Sequence, residues 1–315
     1  MDFRKEMAIM KKQQWADDLS KFLSPANIKL DEPLNQYTMT KLGGKADIFV
    51  LPENEEEAQA VVRYAYTNNV PLLMIGNGSN MVVRDGGMRG IVVTFAHLNE
   101  IHIEGNRLWA QSGALIKDVS KLAASVSLTG FEFACGIPGS VGGAMAMNAG
   151  AYGGEIKDII VKTTVLTPEG ERLVLTKDEL ELGYRKSILS SKGYYVLSSE
   201  FELTPGNQED INAKIADLTY QRESKQPLEY PSAGSVFKRP EGYFAGKLIQ
   251  DSDLQGKGIG GAEVSTKHAG FIVNKSGEAT ATDYIETIKM VQRVVKEKFG
   301  VDLELEVKIV GDELD

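Results

Sequence analysis

Residues 136–154 read GIPGSVGGAMAMNAGAYGG, with seven glycines in nineteen positions. A flexible linker carries serine and charge between its glycines, whereas this stretch carries apolar side chains such as Val141 and Met145. Because glycine has no Cβ, backbone N–H groups at this density can come close to a flat or anionic group. The stretch therefore predicts a folded segment whose main chain contacts a ligand.

A second glycine-rich turn, Gly-Asn-Gly-Ser-Asn at residues 76–80, follows the apolar run at residues 70–75. A turn after a strand suits phosphate binding through backbone N–H groups. Taken alone, it is equally explained as a tight turn that needs positive φ. The chain has neither a GxGxxG fingerprint nor a Walker A motif, so those routes to nucleotide binding have no support. Two glycine-rich elements together favour a large phosphorylated cofactor.

The bulk composition is that of an ordinary globular protein. The chain has 315 residues, 42% hydrophobic and 25% charged, enough for two or three domains. Its net charge of −9 argues against a general nucleic-acid or membrane-surface binder, although a small basic pocket for an anionic substrate stays compatible with it. The single cysteine, Cys135, fits a reducing compartment. With no apolar stretch of membrane-spanning length and no signal core, we expect a cytoplasmic protein.

The hydrophobic pattern alternates between strand and helix up to a clear break at Pro205-Gly206-Asn207. Its predicted strands are residues 47–51, 70–75, 91–95, 101–104, 107–112, 160–167, 171–175, 194–203 and 303–310. Its predicted helices are residues 3–23, 55–67, 116–126, 208–224 and 282–299. The three histidines, His97, His102 and His268, show no metal-ligand spacing, so no metal site is expected.

Ser235 is a candidate proton donor, since it follows Ala-Gly and has Lys225 and Lys238 nearby in the sequence. A serine hydroxyl is a poor acid unless positive charge stabilises its alkoxide. The alternative is an ordinary loop serine. A hydrolase nucleophile is not indicated, because Ser235 does not stand in a GxSxG pattern.

Arg185 and Arg222 are candidate anion clamps, because a guanidinium pairs with carboxylate or phosphate through two parallel hydrogen bonds. The alternative is a pair of surface arginines. Glu306 lies on a predicted alternating strand, where the simpler interpretation is a solvated face.

Seven segments, taken in order, resemble the UDP-N-acetylenolpyruvoylglucosamine reductase family, flavoenzymes of peptidoglycan precursor synthesis. They are residues 42–47 (LGGKAD), 76–80, 136–150, 184–187 (YRKS), 222–227 (RESKQP), 234–238 (GSVFK) and 306–311 (EVKIVG). The segment between Arg185 and the predicted strand at residues 194–203 is short, and so is the segment after Ser235. The chain thus resembles the shorter subtype of the family, which lacks an extra substrate-covering loop.

The resemblance implies an α+β protein with an FAD-binding fold of the vanillyl-alcohol-oxidase type, in two subdomains, plus an α+β substrate-binding domain. We expect the first FAD-binding subdomain at residues 1–88 and 303–315 and the second at residues 89–206. The substrate-binding domain is expected at residues 207–302.

The resemblance also implies NADPH-dependent reduction of UDP-N-acetylglucosamine enolpyruvate through FAD, by a ping-pong mechanism. Ser235 would be the proton donor, with Arg185 and Glu306 stabilising developing charge. The substrate would be bound by Arg222, Lys225 and Lys238. The implied FAD-binding residues are Gly76, Asn77, Gly78, Ser79, Asn80, Gly136, Ile137, Pro138, Gly139, Ser140, Gly142 and Gly143. A monomer is expected, with no nucleic-acid or membrane partner.

Two positions depart from the family pattern. Arg239 stands where many relatives carry asparagine, and Lys308 stands where many carry arginine. Lysine keeps the charge but loses the bidentate fork. We expect both changes to act on cofactor or substrate affinity.

Two other functions stay open. One is an FAD-dependent oxidase of the same fold that passes electrons to oxygen; many such enzymes attach flavin through a histidine, and neither glycine-rich turn contains one. The other is a non-catalytic UDP-sugar binder, which would have no need of a proton donor such as Ser235.

Overall fold

The computed structural model describes residues 3–314, with side chains from Ile9 onward. The chain forms two compact units. The first contains residues 1–32, 46–77 and 90–220, and the second contains residues 33–45, 78–89 and 221–315. The three-domain division expected from the sequence stays a prediction, and residues 1, 2 and 315, which it includes, lie outside the described residues.

The helices within the described residues are α1 Phe3–Leu19, α2 Glu55–Thr67, α3 Ile116–Ser125, α4 Val141–Ala146, α5 Ile156–Ile159, α6 Ile188–Lys192, α7 Gln208–Lys225, α8 Ala245–Asp251 and α9 Ala281–Phe299. None of them is long and apolar enough to cross a membrane. The five predicted helices are all present, but the first ends four residues early, at Leu19.

The strands within the described residues are β1 Ile28–Pro33, β2 Lys45–Val50, β3 Leu72–Met74, β4 Met81–Val83, β5 Met88–Val93, β6 Ile101–Glu104, β7 Arg107–Gln111, β8 Leu128–Thr129, β9 Gly150–Ala151, β10 Gly154–Glu155, β11 Ile160–Leu166, β12 Arg172–Thr176, β13 Tyr195–Glu202, β14 Thr204–Pro205, β15 Ser232–Ser235, β16 Gly258–Ile259, β17 Ala262–Val264, β18 Phe271–Asn274 and β19 Lys308–Val310.

The first unit contains two sheets, with helices packed against them. Most of its four-stranded sheet, ordered β1-β2-β5-β3, packs against α2 through Ile48, Val61 and Val93, all fully buried. The second sheet is antiparallel and ordered β12-β11-β13-β7-β6. The hairpins at its two edges, β6–β7 and β11–β12, are the two predicted around residues 105–106 and 168–170.

The second unit is an antiparallel sheet, ordered β15-β18-β17-β16, covered by α8 and α9. Tyr284 of α9 is fully buried, and its hydroxyl donates to the carbonyl of Ile272 at 2.8 Å. The pair β4 and β19 adds two parallel strands.

The predicted strand at residues 303–310 is wrong in its first half, because only residues 308–310 form a strand. Leu305 makes a single bridge with Phe237, and the N–H of Glu306 bonds to the carbonyl of Val236 at 2.8 Å. These partners divert the backbone of residues 304–306 away from the β4 ladder. An alternating residue pattern predicts an extended chain but cannot tell which partner it finds.

Candidate functional site

The first unit brings the two glycine-rich elements into contact. The side-chain amide of Asn77 donates a hydrogen bond to the carbonyl oxygen of Pro138. A Cβ added to Gly76 would lie 2.7 Å from Oγ of Ser140, closer than van der Waals contact allows. A side chain at position 76 would therefore have to displace the hydroxyl of Ser140.

The long glycine-rich segment is rigidly bonded to residues 112–116. Gly142 N–H donates to the carbonyl of Ser112 at 2.8 Å, and Val141 N–H donates to that of Ala114 at 2.8 Å. Ser140 caps α4 by accepting a hydrogen bond from Gly143 N–H at 3.3 Å. The prediction of a folded segment is confirmed. A Cβ added to Gly142 would lie 3.0 Å from Cβ of Ser112, so this glycine, like Gly76, lets neighbouring chain segments pack closely.

Residues 78–80 of the shorter turn belong to the second unit. Gly78 has a φ of +58°, and a Cβ there would lie 2.0 Å from the carbonyl oxygen of Tyr37. The simpler interpretation, a turn that needs positive φ, therefore holds for Gly78. Asn80 donates through its side chain to the carbonyl of Glu306 at 3.1 Å and accepts from Lys308 N–H at 3.1 Å. This turn thus holds the segment that carries Glu306.

Arg185 lies in a tight turn closed by two reciprocal backbone hydrogen bonds between Gly183 and Lys186, of 3.0 and 3.1 Å. Its φ is +51°, a left-handed conformation that L-residues rarely adopt. Both terminal guanidinium nitrogens lie 3.3 Å from the carbonyl oxygen of Gly150. The side chain is half-buried and contacts the glycine-rich segment, and its role as an anion clamp stays a prediction.

Asn148, inside the glycine-rich segment, is a residue that the sequence analysis missed. It is 1% exposed, with a φ of +44°. Its amide donates to the carbonyl of Gly183 at 3.0 Å and to the carboxylate of Glu155 at 2.6 Å. In the sequence, Asn148 could have been recognised as one large polar residue among glycine, alanine and methionine.

In the second unit, Ser235 and Glu306 lie on paired backbone segments. Ser235 is exposed at the end of β15, after Gly234 with a φ of +73°. The next carbonyl, that of Val236, accepts the N–H of Glu306 at 2.8 Å. The structure therefore brings two of the three predicted catalytic residues to neighbouring backbone positions, although 71 residues separate them in sequence (306 − 235).

The predicted substrate-binding residues are differently placed. Lys238 forms an ion pair of 3.2 Å with exposed Glu304. Lys225 donates to the side chain of Gln221 at 3.4 Å, one turn back on α7. Half-buried Arg222 lies in the last turn of the same helix. Support of Ser235 by Lys225 stays a prediction.

Gln226, just after α7, was also missed by the sequence analysis. Its Oε1 atom is buried, and no hydrogen-bond partner for it occurs within residues 3–314. A buried acceptor without a donor is costly, so a donor from a bound molecule would be favourable here.

Of the two departures from the family pattern, Arg239 has a clear structural role. Its guanidinium carbon lies 4.0 Å from the centre of the Phe244 ring, a cation–π contact. Lys308 is exposed on β19, and its N–H bonds to the carbonyl of Asn80. Their effects on affinity stay predictions.

The glycine-rich segment is preceded by a buried carboxylate, Glu132, which is 3% exposed. Burial by itself would raise the pKa of Glu132, but hydrogen bonds from Thr129 and Gly130, with the charge of Lys214, hold that pKa below its usual range. The carboxylate links the segment to α7. No group of three His, Cys, Asp or Glu side chains suited to a metal occurs within the part of the chain that the structure describes.

Comparison with known proteins identifies the class of protein to which this chain belongs. Residues 46–176 match a family model described as an FAD binding domain. Residues 226–310 match the model described as UDP-N-acetylenolpyruvoylglucosamine reductase, C-terminal domain. The chain therefore has the α+β fold and the FAD-binding domain of an FAD-dependent oxidoreductase, as predicted.

Individual relatives narrow the class to one family. The chain is 62% identical to the UDP-N-acetylenolpyruvoylglucosamine reductase of Geobacillus kaustophilus, over 91% of this chain and 94% of the relative. It is 58% identical to that of Oceanobacillus iheyensis, over 94% and 96% respectively. The crystal structure of the reductase from Thermus caldophilus superimposes with a TM-score of 0.77 at 34% identity, covering 90% of this chain and 97% of that one. The chain belongs to the UDP-N-acetylenolpyruvoylglucosamine reductase family.

Proposed function

We propose that the chain reduces UDP-N-acetylglucosamine enolpyruvate to UDP-N-acetylmuramate, with NADPH as the electron donor and FAD as the bound cofactor. The observation that supports this proposal is the family membership, which covers both the FAD-binding domain and the C-terminal domain. The product is a sugar nucleotide of peptidoglycan precursor synthesis. A monomer in the cytoplasm, where NADPH is available, completes the proposal.

The chemistry follows from the substrate, an enol ether whose vinyl group carries a carboxylate. When bound, FAD supplies the hydride that it has taken from NADPH, and the hydride goes to the terminal vinyl carbon. Negative charge then develops on the neighbouring carbon and on the carboxylate. Such charge requires preorganised donors and cations, and loss of one donor typically costs about 10²–10³ in rate.

Three side chains act on that charge, and a fourth supports one of them. Arg185 and Glu306 stabilise it, with Glu306 sharing a proton with the carboxylate. Ser235 delivers a proton to the carbon that bears the charge, and Lys225 makes its hydroxyl a usable acid. The 2.8 Å bond between Glu306 N and Val236 O supports a common location for Ser235 and Glu306.

The remaining assignments concern binding. Arg222, Lys225 and Lys238 hold the anionic substrate, and the glycines and polar residues of segments 76–80 and 136–143 hold FAD. NADPH and the sugar nucleotide react in turn, which is a ping-pong scheme. The contact between Asn77 and Pro138 supports a joint role of the two glycine-rich segments in FAD binding.

Visible absorbance of the purified protein, followed by anaerobic addition of NADPH and then of UDP-N-acetylglucosamine enolpyruvate, tests the proposal. We expect flavin bands that bleach with NADPH and return with the substrate, with UDP-N-acetylmuramate as product. Return of the bands only with oxygen would indicate the oxidase alternative. A colourless protein that cannot be reconstituted with FAD would indicate the non-catalytic binder.

A further inference from the structure

The conformation of the Arg185 turn has to be imposed by its surroundings. A φ of +51° at a long side chain carries strain. The turn is only four residues long and is closed by the Gly183–Lys186 hydrogen bonds. Both terminal nitrogens of the guanidinium lie 3.3 Å from the carbonyl oxygen of Gly150, the distance of a long hydrogen bond. The position of Arg185 therefore depends on how the backbone of its turn is anchored.

Asn148 supplies that anchor. Its buried side-chain amide donates at 3.0 Å to the carbonyl of Gly183, the first residue of the turn. On the far side of the turn, the hydroxyl of Ser187 donates at 2.6 Å to the carbonyl of Ala146. The residues before and after Arg185 are thus bonded to positions 146 and 148 of the glycine-rich segment.

The amide of Asn148 is itself fixed on three sides. Besides Gly183, it donates to the carboxylate of Glu155 at 2.6 Å and accepts the backbone N–H of Lys157 at 2.9 Å. Both of its N–H donors and its oxygen are therefore used. An aspartate of the same shape would place its oxygens against the carboxylate of Glu155 and the carbonyl of Gly183, so only an amide satisfies this position.

We propose that Asn148 is a positioning residue for Arg185: it sets the guanidinium relative to the glycine-rich segment, and thereby controls the rate of substrate reduction. This inference rests on the proposed function, in which Arg185 stabilises the charge on the substrate. Asn148 acts through the Gly183 carbonyl and touches no reacting atom. A misplacement of about 1 Å is enough to lower a rate about 10²-fold.

The test compares the two half-reactions of Asn148→Asp by rapid-mixing flavin absorbance. We expect flavin reoxidation by UDP-N-acetylglucosamine enolpyruvate to slow about 10²-fold, while flavin reduction by NADPH changes less than about threefold. Introduced into an Arg185→Lys background, Asn148→Asp should have almost no further effect, because residues that act as one unit are not additive. A merely structural role would slow both half-reactions, or multiply the effect of Arg185→Lys.

Asn148→Gly is the second variant, for the case in which Asn148→Asp does not retain FAD. Glycine adopts a φ of +44° without strain, yet it lacks the donor to Gly183, so the same selective loss is expected. The control is Asn68→Asp, since Asn68 also donates its amide to a backbone carbonyl, that of Tyr64 at 2.9 Å, but is exposed at the end of α2. It should leave both half-reactions unchanged.

The outcomes separate the two proposals. If the wild-type flavin is not reoxidised by the sugar nucleotide, the proposed function fails. If the wild type reacts but the Asn148 variants reoxidise at the wild-type rate, only the positioning role of Asn148 is overturned.

Discussion

The side-chain amide of Asn77 donates a hydrogen bond to the carbonyl oxygen of Pro138, across 61 residues of sequence. This bond joins two turns that share glycine enrichment but have no other sequence similarity. Next to it, Gly76 approaches Ser140 so closely that a Cβ would meet the Ser140 hydroxyl at 2.7 Å. The contact between the two glycine-rich elements, for which we propose FAD binding, is therefore made by two separate chain segments.

Gly76→Ala should weaken FAD binding. The new Cβ would lie 2.7 Å from Oγ of Ser140, and such overpacking costs about 1–3 kcal/mol. The measurement is FAD affinity by fluorescence titration of the apoprotein. Gly246→Ala is the control, because its Cβ would meet its nearest neighbour at 3.6 Å, an ordinary contact. Equal FAD affinity in both variants would contradict the prediction.

Ser235→Ala should slow turnover about 10²–10⁴-fold, the range that general acid catalysis supplies, without loss of bound FAD. Proton delivery belongs to substrate reduction, so flavin reduction by NADPH should keep its wild-type rate. Ser232→Ala, on the same strand β15, is the matched control and should stay fully active. Wild-type turnover of Ser235→Ala would remove Ser235 from the mechanism.

Asp85→Ala should destabilise the protein by about 1–2 kcal/mol. The Asp85 carboxylate accepts the N–H groups of Ala281 and Thr282, both at 2.8 Å, at the N-terminus of α9. Its loss leaves two donors of a 19-residue helix unsatisfied. Chemical denaturation measures the change. Glu297→Gln, which breaks only an exposed pair on the same helix, should cost less than about 0.5 kcal/mol.

Glu132→Gln should destabilise the protein at neutral pH and have progressively less effect in acid. The pKa of Glu132 is lowered from 4.5 in the folded state, so its carboxylate contributes stability that is present above about pH 4.5 and is lost as the pH falls through the folded pKa. Thermal unfolding of both proteins between about pH 3 and 7 checks this sign. A constant difference in stability between the wild type and Glu132→Gln across that pH range would contradict the prediction. Lys214→Met, which removes only the exposed partner, should cost less.

Local patterns predicted most of the secondary structure. The helix at residues 282–299 is found at Ala281–Phe299, because its apolar face has helical spacing and Thr280 with Asp283 forms a capping box. The hairpin at Gly105-Asn106 is equally local. Residues 303–306 are the counterexample, because their partner is Val236 and the segment around it rather than β4.

The sequence predicted which types of residue form the candidate site, but it did not predict which hydrogen bonds connect them. Arg185, Ser235 and Glu306 were predicted through the resemblance to the family and through their chemistry, and their roles stay predictions. Asn148 was missed because an asparagine among small residues looks like a turn residue. Its importance depends on burial and on a bond to Gly183, 35 residues away.

The amino-acid order alone determined the glycine-rich segments, the helices and hairpins, and the family, since these depend on local periodicity, on backbone freedom at glycine and on motif order. The tertiary structure alone decided that Asn77 meets Pro138, that Asn148 holds the Arg185 turn, and that Ser235 and Glu306 lie on paired backbones. The physical reason is that a hydrogen bond between distant segments depends on how the packing of the whole chain brings the two groups together, and no local pattern encodes which distant partner will be there.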